Sequence, residues 1–387
     1  MRKQLEKYIL SIINGERNDL SAKIISIFLS ILEIIYLSAV KGRELFYKFG
    51  IFNSYDVDSQ VISIGNITTG GTGKTPLVEK LASDLNVKGK KVVVLSRGYR
   101  SRGNGPKIIS DGSEIFTDVD EAGDEVYMMA AHLADIPVIK GKNRYKAAKM
   151  AVDNFSPDII ILDDSFQHWK MERDLDIVVI DALNPFGYNH LIPRGLLREP
   201  PSALKRADMV IISRSDQVSK GKISKIKNTI CKYNNDVNIY ISNHRAIRVD
   251  TLASTSEEVV DSTDHLNNKK ALALSGIGNP ESFIKGLKEL GIDVVESANY
   301  PDHYYYNDED VMDIAMQAQL SEAEMVITTD KDAVKLDKNI LNNFEKMDMD
   351  LYSLGIDIDF KDEIDISAKV ISMLKEKSRQ SSNAKDE

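Results

Sequence analysis

Cysteine is almost absent from this chain. Its 387 residues include one, Cys231, so a disulfide framework and a cysteine-based metal site are both excluded, and the composition fits a reducing cytoplasm. Histidine is scarce as well: there are six, and no cluster of His and Cys has the spacing of metal ligands. Neither a disulfide-stabilised secreted domain nor a zinc-type centre is therefore expected.

The chain also lacks an excess of positive charge. Its formal net charge is −9 and its pI is about 5.4, which argues against nucleic acid as a partner, because such proteins need a basic face. Apolar residues make up 42% of the chain and charged residues 28%, as in ordinary globular proteins. The length predicts two to three domains. Nothing in the composition implies an obligate protein partner.

A single apolar run is long enough to span or bind a membrane. Residues 21–40 read SAKIISIFLSILEIIYLSAV, and no second long run follows. The length is close to that of a bilayer span, but Glu33 interrupts the run. A signal peptide is not expected, because the apolar core begins late and no small-residue cleavage site follows it. Three interpretations stay open: a buried amphipathic helix, a helix lying in the membrane interface, and a full span.

The stretch around which the chain is organised runs from Val61 to Leu81, VISIGNITTGGTGKTPLVEKL. Its β-prone start, glycine-rich middle and helical apolar spacing predict a strand, a phosphate loop and a helix. Gly70, Gly71 and Gly73 would let the backbone turn its N–H groups onto phosphate oxygens at the helix N-terminus, where the helix dipole favours anions.

The residues after these glycines supply the charge for nucleotide binding. Lys74 would reach the β- and γ-phosphates, and the Thr75 hydroxyl would ligate Mg²⁺. The strict motif has glycine where this chain has Thr68, so a glycine-rich turn with a surface lysine is the alternative. The expected nucleotide-binding residues are Thr68, Thr69, Gly70, Gly71, Thr72, Gly73, Lys74, Thr75 and Pro76.

Short apolar strands alternate with helical segments downstream of the phosphate loop. The expected strands cover 90–95, 136–140, 158–162, 175–180 and 209–213, and a second α/β unit is expected over 269–335. This alternation predicts a doubly wound parallel sheet in a P-loop domain, with a second, smaller α/β domain. The predicted divisions are a membrane-associated helical segment at 1–45, a P-loop kinase domain at 46–250, the smaller domain at 251–376 and a disordered tail at 377–387, with a linker within 250–268.

Several polar side chains stand where strands end or helices begin. Asp163 and Asp164 end an apolar strand, from which a carboxylate could hold Mg²⁺, although such residues also cap helices. His168 follows the pair and could orient it. Asp124 and Glu125 begin a helix after Gly123, where simple capping is the alternative. The remaining candidates are His303 in an aromatic loop, which could equally be structural, and the possible anion clamps Arg97, Arg144 and Arg198.

Eight ordered motifs give a more specific resemblance. They are SIGNITTGGTGKTP, LSRGYR, AGDE, LDDSFQH, LIPRGLLREP, LSGIGNP, YPDHYYY and TTDKDAVKL. In this order and spacing they closely resemble the tetraacyldisaccharide 4′-kinase (lipid A 4′-kinase) family, from the N-terminal apolar helix to about residue 336. The chain departs from the family pattern at Ser165, where glycine is usual, and at Arg194, where a small residue is usual.

The resemblance implies an ATP-dependent lipid kinase of two α/β domains on the cytoplasmic face of the bacterial inner membrane. It would transfer the γ-phosphate of ATP to the 4′-hydroxyl of a lipid A disaccharide precursor. The resemblance implies that Asp124 accepts the hydroxyl proton with His303 as its partner, and that Lys74 binds phosphate. The metal would be served by Thr75, Glu125, Asp163 and Asp164. The cleft would be lined by Arg97, Tyr99, Arg144, His168, Arg198 and Glu199.

Two rival interpretations remain for the residues taken alone. One is a membrane-associated P-loop ATPase switch, which explains the phosphate loop and the apolar helix but not His303 beside an aromatic loop. The other is a kinase of a soluble metabolite, which leaves the apolar helix unexplained. Transfer of labelled phosphate from ATP to lipid would separate them.

Overall fold

The computed structural model describes residues 2–17, 19–99, 101–254, 263–278 and 280–386. The strands are β1 (Gln60–Gly65), β2 (Val92–Ser96), β3 (Lys107–Ser110), β4 (Val138–Lys140), β5 (Ile159–Asp163), β6 (Leu175–Asp181), β7 (Met209–Ser213), β8 (Asn238–Ala253), β9 (Lys270–Ser275), β10 (Asp293–Asn299), β11 (Met325–Thr329) and β12 (Asp350–Phe360). The α-helices are α1 (Arg2–Ile13), α2 (Leu20–Lys48), α3 (Lys74–Val87), α4 (Val119–Ala122), α5 (Asp124–His132), α6 (Arg144–Phe155), α7 (Lys220–Tyr233), α8 (Pro280–Glu289), α9 (Asp308–Leu320), α10 (Asp330–Ala333), α11 (Lys338–Lys346) and α12 (Ile366–Asp386).

The first lobe is a doubly wound sheet in the order β7-β6-β1-β5-β2-β4-β3. All neighbours are parallel except β3, which runs antiparallel to β4. Strands such as β5, read IIILD, are buried along their whole length, as expected for a parallel sheet covered by helices on both faces. The predicted fold class is confirmed, and the carboxyl ends of these strands converge on the phosphate loop.

The second lobe contributes β10-β9-β11-β12, which are mutually parallel. It joins the first lobe through β8, which pairs in parallel with β7 and then antiparallel with β12, so one sheet runs through both lobes. Because β8 extends to Ala253, the linker predicted within 250–268 begins inside a strand; residues 255–262 lie outside the described residues.

The C-terminal helix α12 returns to the first lobe. Ile366, Val370 and Leu374 are buried there in the same apolar cluster as residues of α3 and β1. The helix extends to Asp386, whereas the sequence predicts a disordered tail from residue 377. Residues 377–386 read KSRQSSNAKD, in which Lys, Arg, Gln and Ala are good helix formers.

Helix α2 is a long apolar helix that lies mostly outside the core. It is long and apolar enough to cross a membrane by length and composition, yet its buried residues are Ala22 and Leu29. Six large side chains at helical spacing are more than half exposed, namely Ile24, Ile27, Phe28, Ile31, Ile34 and Ile35. An ordinary core helix would bury such a stripe, so the interpretation of residues 21–40 as a buried helix does not describe this structure.

Candidate active site

The phosphate loop connects β1 to the N-terminus of α3, as predicted. Gly73 caps α3 with a left-handed backbone at φ +85°, and Gly70 has φ +106°. A Cβ on Gly73 would lie 2.4 Å from Nε2 of His244, a residue of β8. Glycine is therefore required at position 73 both by the backbone angle and by the packing of the lobe-joining strand.

A second loop, residues 184–208, braces the phosphate loop. The backbone N–H of Thr69 donates to the Leu196 carbonyl at 2.7 Å, and the Arg198 N–H donates to the Ile67 carbonyl at 2.7 Å. From other elements, the Asn66 amide donates to the Thr72 hydroxyl at 3.0 Å and the Ser213 hydroxyl donates to the Thr72 carbonyl at 2.8 Å. Sequence patterns did not single out Asn66 or Ser213, because their role depends on contacts that only the folded loop makes.

Lys74, Asp164 and Arg198 form a charged group beside the phosphate loop. Arg198 donates to both oxygens of Asp164 at 2.8 and 2.9 Å, and the Lys74 ammonium lies 3.4 Å from the same carboxylate. Burial opposes ionisation of Asp164, but Lys74 and Arg198 outweigh it, so the pKa of Asp164 lies below its usual value. The two cations are thus already held at the place where phosphate charge would arrive.

Asp163 differs from its neighbour in having an unused oxygen. Ser96 donates to one carboxylate oxygen at 2.8 Å, whereas Oδ1 is buried without a hydrogen-bond partner. Burial, and then the charge of Asp164, raise the pKa of Asp163 to about 6. A buried carboxylate oxygen without a partner suits Mg²⁺, which takes few protein ligands when phosphates supply the rest.

Two of the four predicted metal ligands are paired with cations in this structure. Asp164 is engaged by Arg198 and Lys74, and Glu125 lies 3.2 Å from the ammonium of Lys331. Among the described residues no group of three or more His, Cys, Asp or Glu side chains could hold an ion by itself. Mg²⁺ is commonly bound by one or two carboxylates together with substrate phosphates, so these residues are compatible with a Mg²⁺–nucleotide complex.

Arg144 and His168 are placed differently from what the sequence suggested. Arg144 is buried beneath the Asp163 turn and donates to the carbonyls of Gly141 (2.6 Å) and Asp163 (2.8 Å) and to the Ser165 hydroxyl (3.2 Å). Burial lowers its pKa to about 10, so it remains charged. The residue with a positive φ in this turn is Asp164, at +47°, and not Ser165. Position 165 therefore does not require glycine, and serine is accommodated there.

His168 makes no side-chain hydrogen bond to Asp163 or Asp164, so the predicted orienting bond is absent. Its Nε2 is buried without a partner. Burial, followed by the charge of Arg144, lowers the pKa of His168 to about 4, and the ring is therefore neutral at physiological pH.

Glu199 is buried under the N-terminal helix and does not face the open cleft. It accepts from Arg206 at 2.6 Å and lies 3.6 Å from Arg43 of α2. The Arg206 guanidinium also stacks over Phe166 at 4.4 Å. Glu199 was predicted as a cleft residue, but its contacts here are with the scaffold, and its removal would leave the half-buried Arg206 guanidinium without this carboxylate partner.

Two polar residues on one face of α2 attach that helix to the 184–208 loop. Glu33 accepts the Leu191 backbone N–H at 2.8 Å and lies 3.1 Å from Nδ1 of His190. The Tyr36 hydroxyl donates to the carbonyl of Arg198 at 2.9 Å. The carboxylate that interrupts the apolar run thus faces protein, opposite the exposed apolar stripe.

Asp124 and His303 meet across the two lobes. Asp124 is the first residue of α5, and Nδ1 of His303 lies 2.6 Å from its Oδ2, although 179 residues separate them in sequence. Burial raises the pKa of Asp124, but the hydrogen bond and charge of His303 and the charge of Lys331 outweigh it and hold that pKa below its usual value. An ionised carboxylate can only accept, so Nδ1 of His303 carries the proton of this bond.

The entrance to this pair is marked by two exposed residues of the first lobe. Arg97 and Tyr99 follow β2, and the Tyr99 ring lies 5.7 Å from the His303 ring. Lys331 of the second lobe completes the cluster, with its ammonium 3.2 Å from both Glu125 and Asp302. Lys331 lies in one of the recognised motifs, but nothing in its sequence context marks it as facing the first lobe.

Comparisons with known proteins agree on one family. The family model described as "Tetraacyldisaccharide-1-P 4'-kinase" (LpxK) matches residues 25–375. A protein of Halothermothrix orenii named tetraacyldisaccharide 4′-kinase is 45% identical over 380 residues, covering 96% of this chain and 98% of that protein. One of the same name from Geobacter metallireducens is 36% identical, covering 81% and 89%.

A solved structure extends the similarity to three dimensions. The "apo" form of LpxK from Aquifex aeolicus in complex with ATP is 28% identical and superposes with a TM-score of 0.71, covering 90% of this chain and 99% of that chain.

Proposed function

Because this chain belongs to the tetraacyldisaccharide-1-phosphate 4′-kinase family and is a lipid A 4′-kinase that uses ATP, we propose that its phosphate loop and its Asp124–His303 pair carry the transfer. The acceptor is the 4′-hydroxyl of a tetraacyldisaccharide 1-phosphate. The observation that carries the proposal is the 2.6 Å contact between Asp124 and His303 at the carboxyl edge of the P-loop sheet.

The nucleotide half of the site works by charge. Backbone N–H groups around Gly73 and the ammonium of Lys74 would hold the β- and γ-phosphates. Arg198 donates to Asp164, the carboxylate that Lys74 also contacts, and so places a second cation near the phosphates. Thr75 and the free oxygen of Asp163 would hold Mg²⁺, and the bound ion would neutralise charge on the β- and γ-phosphates. Phosphoryl transfer depends mostly on such positioning and neutralisation.

The acceptor half supplies a proton acceptor. The 4′-oxygen attacks the γ-phosphorus, the bond from that phosphorus to the β–γ bridging oxygen breaks, and ADP leaves. The hydroxyl proton passes to Asp124 late in a loose transition state. His303 fixes the carboxylate through Nδ1–H and stabilises its charge. An ATPase switch would have no need of this pair.

The test is a transfer assay. The chain is incubated with ATP labelled at the γ-phosphate and the disaccharide 1-phosphate in mixed micelles, with an acceptor-free reaction as control. Label should appear in lipid, with little free phosphate when the acceptor is absent. Release of phosphate at the same rate with and without acceptor would contradict the proposal.

The raised pKa of Asp163 predicts a pH effect on binding of the Mg²⁺–ATP complex. As pH falls through about 6, Asp163 gains a proton that metal binding must displace. We expect the affinity to fall by about tenfold per pH unit below that value. Binding is measured by calorimetry between pH 5 and 8. Asp163→Asn, which cannot titrate, should show only the dependence of the nucleotide itself. Equal pH slopes for both proteins would contradict the assignment.

We further propose that α2 binds the cytoplasmic face of the inner membrane. Its exposed apolar stripe faces away from the contacts of Glu33 and Tyr36 with the 184–208 loop. Lys23, Lys41 and Lys48 lie near the helix ends and would meet anionic headgroups, whereas Arg43 is directed toward Glu199. A helix fixed to protein on one face and apolar on the other fits an interfacial position and brings the cleft to a lipid acceptor.

Substitution of the stripe tests this better than truncation, because truncation at residue 40 also removes Glu33 and Tyr36. We expect Ile27→Glu with Ile34→Glu to lower binding to anionic vesicles by about tenfold or more, since two exposed apolar side chains that would enter the membrane are replaced by anions. The matched control is Val87→Glu with Leu320→Glu, two exposed apolar residues elsewhere. Cosedimentation that falls equally in both would contradict a specific role for α2.

A further inference from the structure

The ammonium of Lys331 joins the chain neighbours of both members of the Asp124–His303 pair. It lies 3.2 Å from Oε1 of Glu125, which follows Asp124, and 3.2 Å from Oδ1 of Asp302, which precedes His303. The first contact crosses between the lobes and the second stays within the second lobe. One side chain therefore ties together the two backbone segments that present the pair.

The helix that carries Lys331 is held in place by buried hydrogen bonds. It is the second residue of α10, whose cap Thr329 accepts from the backbone N–H of Asp332 at 3.2 Å. Asp332 is fully buried and also accepts from the Gly276 N–H at 2.9 Å and from Lys335 at 2.6 Å. The preceding residue, Asp330, pairs with Arg248 of β8. A lysine on a helix held this way has a defined direction.

Charge at the cluster makes a cation necessary. Three carboxylates stand together, those of Asp124, Glu125 and Asp302, and Asp302 Oδ2 lies 3.5 Å from the other imidazole nitrogen of His303. With Lys331 in place, Asp302 is held by its Oδ1 and Glu125 is neutralised. Without it, the carboxylates would repel, and Asp302 would compete with Asp124 for the imidazole.

We propose that Lys331 is a positioning residue for phosphoryl transfer: it orients His303 through Asp302, and holds the two lobes in the arrangement in which His303 meets Asp124. This inference rests on the proposed role of that pair. Lys331 would touch neither ATP nor the acceptor hydroxyl, and its contribution would therefore fall on the rate of the bound complex and not on substrate affinity.

The experiment measures transfer to the lipid acceptor with Lys331→Met, His303→Ala and the double variant. Rates are taken from single-turnover reactions and KM values from steady-state reactions. Lys331→Met should lower the rate about 30-fold with both KM values within about threefold of wild type, and should lower it no more than about threefold further in the His303→Ala background. Lys331→Arg should restore most of the rate. The matched control is Lys107→Met, which breaks an exposed ion pair with Glu121 of α4 and should keep the wild-type rate.

Two results would decide against the proposal. Fully multiplicative losses, or a raised KM for lipid at unchanged rate, would mean that Lys331 acts independently of His303 or binds the acceptor itself. If Lys331→Met melts at a lower temperature, Asp302→Asn breaks the same bridge from its other end and should show the same rate loss. A His303→Ala protein with wild-type rate would overturn the proposed pair itself, a result distinct from failure of Lys331 alone.

Discussion

Replacing Lys74 by alanine is expected to lower the transfer rate by about 10²-fold or more while leaving the fold intact. The ammonium at the start of α3 lies 3.4 Å from Asp164, beside Arg198. In the proposed site this cation lies beside the β- and γ-phosphates, where it would stabilise the charge that develops on the β–γ bridging oxygen. Losing this ammonium should therefore lower the rate of transfer more than the affinity for the nucleotide.

The measurement is steady-state transfer at saturating ATP, with melting temperature as the check on folding. Lys80→Ala is the matched control, because Lys80 lies on the same helix and pairs with Asp84 at 3.4 Å without reaching the loop. A Lys74→Ala rate equal to that of the control would remove the phosphate loop from the mechanism.

Asp124 and His303 should behave as one catalytic device. We expect Asp124→Ala to lower the rate by about 10²-fold or more, and His303→Ala to cost nearly as much. In the proposed mechanism the carboxylate needs the imidazole to hold its orientation, and the imidazole acts on the acceptor through the carboxylate. The double variant should be little slower than the slower single variant, since effects of residues that act as a unit are strongly non-additive.

The double-mutant cycle is read as single-turnover transfer at saturating ATP. Losses that simply multiply would mean that the two residues act separately and that the 2.6 Å contact only links the lobes. His303→Asn is a useful addition, because its side-chain amide nitrogen lies where Nδ1 does and can donate the same hydrogen bond without carrying charge. If this amide variant reacts at a rate close to wild type, His303 acts by orienting Asp124. If it is as slow as His303→Ala, the positive charge of a protonated imidazole is required.

Local patterns were enough to predict the phosphate loop and most strands of the first lobe. In VISIGNITTGGTGKTP the glycines allow a tight turn, and lysine and threonine follow it at the start of a helix. These properties depend on neighbouring residues alone, so the sequence is enough to place them. The long strands β8 and β12 were harder, because they join the lobes and mix buried with exposed positions. Neither shows the apolar run of a buried parallel strand.

Burial explains the site residues that the sequence placed less well. Arg144 and Glu199 have the residue types of cleft ligands, yet the fold uses both as buried braces, one under the Asp163 turn and one under α2. Whether a charged side chain faces solvent or scaffold depends on contacts from distant segments. The contact of Lys331 with Glu125 spans two lobes in the same way, and no local spacing signals it.

The most direct test of the central claim is to locate the new phosphate. The disaccharide 1-phosphate is converted with Mg²⁺ and ATP, and the product is analysed by phosphorus NMR and mass spectrometry, with Asp124→Ala as the negative control. We expect a second phosphate monoester on the 4′-oxygen, formed by the wild type and almost absent with the variant. A diphosphate at the 1-position, or the same 4′-product at the wild-type rate from Asp124→Ala, would contradict it.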